Sequence, residues 1–529
     1  MKYSFDLTAQ PWIPCIMSDG TAVQVGLQEA LSRAHEIREI LAPSPLVTVS
    51  LHRLLLAILH RNFGPSDAQQ WRDMWQSGQF AAAPLMQYFD KWRHRFDLFD
   101  SERPFYQYPG LPDKMLRPVA LLAYELASGN NPTLFDHSLD NHPQALDAGQ
   151  AACLVVATQS FHLGGLCATE QGNTSATDAP LARGAVVIVA GDSLFETLML
   201  NLVPYNPSYQ MPQQFPVSGS DMPAWEQPQA SGLQESRPTG YLDYLTWQSR
   251  RIWLQPSVAA DGSIEVECAV LSLGREFPKD YYPDDTMMAH TVRAKARASE
   301  NPRPPIRIRE DRAIWRDSSA LLQSVSGQQQ RPANIEHVAE HVGVVLSPHQ
   351  TRDLWVAGLG SEKAKIHLWR HERQPLPLRY LTDETLMGCL DTALLLAENG
   401  GKVLHNALRR LASIICAPDE EREPNRDIVS NMAGAYPAVS LYWSALGSRF
   451  GELLLQLPGD DAHQRTTLDG WAWSVPREAL DAFDRTSEGL AQNARFLQAT
   501  VQARGLLAGR LYGQLLPEYG FTKEEVTHA

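Results

Sequence analysis

The stretch "HVAEH" at residues 337–341 sets two histidines four residues apart with a glutamate between them, the one match in the chain to a hydrolase pattern. An i, i+4 histidine pair shares one face of a helix and could hold Zn²⁺, with Glu340 as the base that activates a bound water. The match is three residues long in a chain with 16 histidines, and no downstream acidic ligand stands out, so the sequence favours a solvated helix face. His52 and His60, eight residues apart, likewise read as helix-surface histidines. Neither a G-x-x-x-x-G-K-[ST] phosphate loop nor a G-x-S-x-G elbow occurs, which removes the specific reasons to assign nucleotide hydrolysis or acyl transfer.

Two further stretches bear on binding. Eight arginines and lysines lie between Arg293 and Arg316, a span holding only three acidic residues. Such a run is either a solvated surface strand laced with ion pairs or a track for phosphates. "SGNNPTLFDHSLD", residues 128–140, joins a turn signal to an isolated Leu134-Phe135 pair with no helical or strand period, which reads as a loop carrying an aromatic. That ring either plugs the core or meets a partner.

The elements that must position these residues follow from composition and period. The chain has 529 residues, 44% hydrophobic, enough for a large core and about three or four domains. Its formal net charge of −14 excludes a globally basic nucleic-acid binder, so any polyanion site must be local. Six cysteines without a C-x-x-C pair fit reduced thiols in a cytoplasm rather than a disulfide framework. The opening residues lack an apolar signal region, and no run of about 18 apolar residues occurs, so neither export nor membrane insertion is expected.

Residues 3–10 alternate as a short strand would before Pro11, and residues 43–64 read as a helix ended by Gly64-Pro65. The aromatic-dense "FDLFDSERPFYQYPG" suits a packed loop, and residues 146–163 form a buried helix or strand leading into a long polar loop that holds Gly164 and Gly165. "GAVVIVAG" is strand-like, "SLFETLMLNLV" helix-like, and the proline- and glutamine-rich residues 206–238 form a surface loop or excursion. "YLTWQSRRIWLQP" and "SIEVECAVLSLG" read as strands. Beyond about Tyr380 three apolar stripes at helical spacing, the last on Leu497, Val501, Ala508, Leu511 and Leu515, predict an antiparallel helical bundle. The expected fold is α+β, a mixed α/β domain over 1–379 and a four-helix bundle over 380–529.

Taken in order, "QPWIP", "FDLFDSERPFYQ", "SGNNPTLFDHSLD", "AACLVVATQSFHLGGL", "TWQSRRIWLQP" and the helical last third resemble the large subunit (CasA) of type I-E CRISPR Cascade complexes. The resemblance implies a non-catalytic subunit without cofactor that contacts the 5′ handle of the CRISPR RNA and reads the protospacer-adjacent motif (PAM) on double-stranded target DNA. It also implies a role in opening the duplex and in docking a helicase-nuclease, beside the backbone and small subunits. Asn131, Thr133, Leu134 and Phe135 then look like the handle loop, and Gly164-Gly165 like a glycine loop whose backbone approaches the minor groove. "GREFPK" resembles the region of a minor-groove lysine, which leaves Arg275 or Lys279 as candidates. "GLGSEKAKIHLW" resembles a wedge hairpin, with Lys363 where the best-known members have glutamine. The alternatives are a zinc-dependent hydrolase built on His337 and His341, or a protein-only scaffold.

Overall fold

The computed structural model describes the chain apart from residues 1–2, 124–143, 205–214, 216–219, 229–234, 294, 298–299, 324–328, 363–364, 418–423, 489–493 and 523–529. The handle-loop candidates Asn131, Thr133, Leu134 and Phe135, the wedge candidate Lys363 and most of the proline-rich segment lie outside the described residues. The fold is α+β, and the chain forms two compact units. One comprises Met1–Glu310, Ser324–Leu346 and Arg352–Arg373; the other comprises Asp311–Gln323, Ser347–Thr351 and Gln374–Ala529. Among the described residues no helix is long and apolar enough to cross a membrane.

The first unit is organised around a helix, Pro45–Asn62, that is buried on every side from Leu46 to His60. A helix apolar all round belongs inside a core. Its polar side chains are mostly satisfied internally: the Ser50 hydroxyl donates to the Leu46 carbonyl, and the His52 ring Nδ1 bonds the Thr48 carbonyl at 2.8 Å. Arg53 donates to the Asp285 carboxylate at 2.6 Å and to the Tyr244 and Leu245 carbonyls. Both partners of that ion pair are 2% exposed, so losing one would leave a buried charge worth roughly 3–5 kcal/mol of stability. Against this helix packs Ala148–Phe161, whose N-terminus is closed by a capping box between Asp147 and Gln150.

The strands Arg250–Val258 and Ile264–Leu273 pair antiparallel, as their alternation predicts, and Ile264–Leu273 also pairs with short strands at Arg117–Pro118 and Leu146–Asp147. A second sheet orders Val186–Ala190, Thr351–Glu362 and Lys365–Pro377 side by side, the last two forming a long hairpin. The opening strand lies after Pro11, at Ile13–Met17, rather than before it, because the Asp6 and Asp97 side chains hold residues 4–10 in turns.

The second unit contains four long helices, Glu384–Cys416, Ala438–Gln456, Asp461–Glu488 and Ala494–Arg510, and a shorter one at Arg426–Ala435. The first stripe is buried as expected, from Leu386 through Ala397. The last is buried only in part: Leu511 and Leu515 are packed as expected, whereas Leu497 and Val501 are exposed and Ala499, Ala503 and Leu507 take the inner positions. Small alanines let that helix approach Glu384–Cys416 closely, so side-chain size misidentifies its inner face.

Three other expectations change. The polar segment after Gly164 is a β-hairpin rather than a loop. His52 and His60 are 2% and 6% exposed and do not lie on a helix surface. Among the described residues the basic span 293–316 forms no surface strand and ends in a 3-10 turn at Ile314–Asp317; Arg293, Lys295, Arg297 and Arg307 are exposed, while Arg312 and Arg316 converge on Glu398 and Arg316 lies 3.5 Å from the Trp443 ring centre.

Candidate nucleic-acid interface

Gly164 and Gly165 open a hairpin in which Gly165–Thr169 pairs with Gly172–Ala176. Gly165 sits at φ +145°, a region that residues with a Cβ rarely adopt. At Gly164 a Cβ would come within 2.6 Å of the Ala176 carbonyl oxygen. Both glycines are therefore required by the backbone itself. The next residue, Leu166, is 80% exposed, an unusual position for a leucine and one that sequence reading passed over as part of a polar loop.

The hairpin is pinned at both ends by neighbouring arginines. Arg250 Nη2 donates to the carbonyls of Leu163 and Thr177, at 3.0 and 2.8 Å, and so holds the two chain ends at the base. Its Nε lies 3.2 Å from His162 Nδ1, a nitrogen also 2.8 Å from the Leu163 carbonyl, and burial followed by this facing guanidinium pushes the His162 pKa down, which keeps the ring neutral. At the tip Arg251 makes a two-pronged contact with Glu170, both arms at 2.8 Å. That contact, then the Glu170 backbone, hold the Glu170 carboxyl below its usual range.

The "GREFPK" segment continues from the end of the strand Ile264–Leu273, and the structure brings it beside the hairpin. The Thr177 backbone N–H donates to the Glu276 carboxylate at 2.7 Å, which ties the hairpin base to residue 276. The two candidate cations then separate. Arg275 is bound to the Asp243 carboxylate at 2.6 and 3.1 Å and stacks 3.7 Å from the Trp247 ring centre. Lys279 is exposed and makes no ion pair among the described residues. Phe277, between them, stacks on Trp247 at 4.5 Å and fixes the path of the segment. Lys363 stands in sequence between the long hairpin's strands, which end at Glu362 and resume at Lys365.

The H-x-x-E-H motif lies on the helix Ala333–His341, as its spacing predicts, but the helix face is not solvated. His337 and His341 are 2% and 0% exposed, and the Trp71 ring meets both imidazoles edge-on at 4.9 and 4.0 Å. The ligand atoms of His337, Glu340 and His341 lie within 4.8 Å of one another, close enough to share a cation. Only Glu340 is exposed, so a substrate would have no route to the imidazoles through this packing.

The fold formed by these elements is that of CRISPR-associated subunits. It superposes on Thermobifida fusca Cse1 with a TM-score of 0.81 at 23% identity, covering 98% of each chain. It also superposes on a chain of a CRISPR RNA-guided surveillance complex with a TM-score of 0.77 at 22% identity, covering 95% of this chain and 99% of that one. The likeness extends to sequence. The family model of CRISPR-associated protein Cse1 matches residues 6–482. The CRISPR-associated protein CasA/Cse1 of Thermus thermophilus is 35% identical over 524 residues, 97% of this chain and 98% of that protein. A crystal structure of Thermus thermophilus CasA gives a TM-score of 0.80 at 31% identity, over 97% of this chain and all of the other. The chain belongs to the Cse1 (CasA) family of CRISPR-associated proteins.

Proposed function

We propose that the chain is the non-catalytic large subunit of a type I-E CRISPR Cascade complex in the cytoplasm, reading the PAM on double-stranded DNA and anchored at the CRISPR RNA handle. The observation that carries this reading is the coupling of the glycine hairpin to the Arg275–Lys279 segment through Thr177 and Glu276. A rigid turn, an exposed Leu166 and an exposed Lys279 belong to one local assembly. A minor groove admits a hairpin edge, an apolar side chain against a base step and a cation, and its degenerate pattern suits a reader of several related motifs. In this reading Gly164 and Gly165 bring backbone to the groove, Lys279 rather than the engaged Arg275 supplies the charge, and Lys363 enters as the wedge. Asn131, Thr133, Leu134 and Phe135 meet the RNA handle, and the opened duplex is passed to a helicase-nuclease.

The test is duplex binding by the complex reconstituted with guide RNA and its backbone and small subunits. Lys279→Ala should weaken binding to a motif-bearing duplex by about tenfold and reduce the salt dependence by roughly one counterion. Unchanged affinity and salt slope would remove Lys279 from the interface. A zinc hydrolase is the second reading, favoured only by the closeness of His337, Glu340 and His341. Stoichiometric zinc in the purified protein, lost in His341→Ala, would support it.

A further inference from the structure

Five arginines line one cavity of about 130 Å³ in the first unit: Arg95, Arg103, Arg250, Arg251 and Arg275, with Tyr106 and Tyr108 among its aromatic walls. Their charges are not equally compensated. Arg251 is paired with Glu170 and Arg275 with Asp243. Arg250 is directed at backbone carbonyls of the hairpin base. Arg95, only 6% exposed, makes no side-chain hydrogen bond or ion pair among the described residues. Arg103 gives its side chain one hydrogen bond, to the Gln227 carbonyl at 2.6 Å, and its backbone N–H donates to the Asp100 carboxylate at 2.7 Å. Burial, then repulsion from Arg103, push the Arg95 pKa down, and burial does the same to Arg103. Among the described residues the five guanidiniums thus meet three carboxylates, Glu170, Asp243 and Asp100, which leaves a surplus of two positive charges at a partly buried site, an arrangement that costs stability unless a ligand compensates it.

The backbone points the same way. Tyr106, between the arginine-bearing segment and Tyr108, has φ +56°, the one non-glycine residue with positive φ among those described. Strain of this kind persists where the surroundings over-determine a conformation, and it concentrates at ligand sites. The Phe105 and Tyr106 rings stack at 4.3 Å, and both face Trp225, which fixes the wall.

We propose that this cavity binds a phosphate monoester, the terminal phosphate of a nucleotide or of a nucleic-acid strand. Guanidinium forks match phosphate oxygens in paired hydrogen bonds. A surplus of two positive charges matches the near-dianionic monoester better than a singly charged phosphodiester or carboxylate. The volume is below that of a site enclosing a whole drug-sized molecule, so the phosphoryl group and its nearest atoms are what it holds. The site goes beyond the duplex reading above, shares Arg250, Arg251 and Arg275 with it as walls, and stands if that reading fails.

Calorimetric titration of the purified full chain tests it, with adenosine 5′-monophosphate and with one short oligoribonucleotide prepared with a 5′-phosphate and with a 5′-hydroxyl. Binding of a phosphate-terminated probe is expected. Arg95→Gln should weaken it by about tenfold or more while melting at the same or a higher temperature than wild type without ligand, because one cation of the surplus is gone. A merely structural arginine gives the opposite pair, lower melting and unchanged binding. Preference for the phosphorylated over the hydroxyl RNA assigns a strand end; binding of the mononucleotide with the phosphorylated RNA rejected assigns a free nucleotide. The proposal is overturned if neither phosphate probe binds at millimolar concentration, if the two RNAs bind equally, or if Arg95→Gln binds as wild type. Should Arg95→Gln fail to fold, Arg103→Gln on the half-buried side decides: tenfold loss supports the site and wild-type affinity refutes it.

Discussion

Replacing His60 by leucine should stabilise the protein, and the gain should grow in acid. His60 is 6% exposed on the central helix, its ring edge-on to Tyr241 at 5.1 Å, and among the described residues neither ring nitrogen has a hydrogen-bond partner. Burying an unsatisfied polar group costs about 1–3 kcal/mol, which a leucine of similar volume would recover at neutral pH. Burial pushes the His60 pKa down to about 3 from 6.5. The native ring therefore stays neutral while the unfolded one takes up a proton as pH falls below 6.5. Stability is lost with falling pH across the window from 6.5 toward 3, at about 1.4 kcal/mol per pH unit for each such group. His52, pushed down to about 4 by burial, behaves alike, so the two cost about 3 kcal/mol between pH 7.5 and 5.5. That is a large part of a typical stability of 5–15 kcal/mol.

The assay is urea unfolding of wild type and His60→Leu at pH 7.5 and 5.5, followed by tryptophan fluorescence. The variant should be more stable at pH 7.5, and its advantage should widen by about 1.4 kcal/mol at pH 5.5. An identical acid loss in both proteins would mean that the ring titrates in the native state as it does unfolded, and the burial argument would fail. Destabilisation at pH 7.5 would show instead that the imidazole has a partner.

The remaining predictions concern the interface. Gly165→Ala places a Cβ at φ +145° and should distort the hairpin, lowering motif-bearing duplex binding in a mobility-shift assay while the far-ultraviolet dichroism stays that of the wild type. Phe135→Ala should leave the melting temperature unchanged and weaken co-purification with the RNA-bound complex, through loss of a stacking contact worth about 1–3 kcal/mol; a large fall in melting with normal assembly would return the ring to the core. Lys363→Gln should keep most strand opening and Lys363→Gly lose most of it, with rescue of the glycine variant on a target already unpaired beside the motif; absence of rescue would remove the wedge role.

What was legible in the sequence is what depends on local period. The strands Arg250–Val258 and Ile264–Leu273 alternate and Leu386 to Ala397 keep helical spacing, so each could be read without its neighbours, whereas Ala148–Phe161 reads as buried but as helix or strand alike. The glycine hairpin could not, because "GLCAT" and "GNTSA" form a largely polar ribbon with one exposed leucine and little alternation to betray a strand. The buried histidines were misplaced for a different reason. Polarity was assigned residue by residue, whereas the surrounding "PLVTVSLHRLLLAILH" is apolar on all faces and draws its few polar residues inside with it. At Ala499 and Ala503 the contact is made by the smallest side chains, which carry almost no hydrophobic signal.

Arginine density shows the same limit in a form that bears on function. The sequence concentrates basic residues between 293 and 316, yet Arg312 and Arg316 there are bound to Glu398. The least compensated arginines, Arg95 and Arg103, sit in an aromatic loop beside acidic neighbours, and the rest of their cavity arrives from residues 224–228, 248–251 and 274–275. Charge counted along the chain measures a solvated surface, where pairs contribute little and salt screens them. Charge counted in the fold measures what has been taken out of water, where an uncompensated cation is costly. A chain with a net charge of −14 has many carboxylates to set against any arginine, so a cavity where five arginines meet only three marks a place where an external anion, rather than the protein, completes the balance.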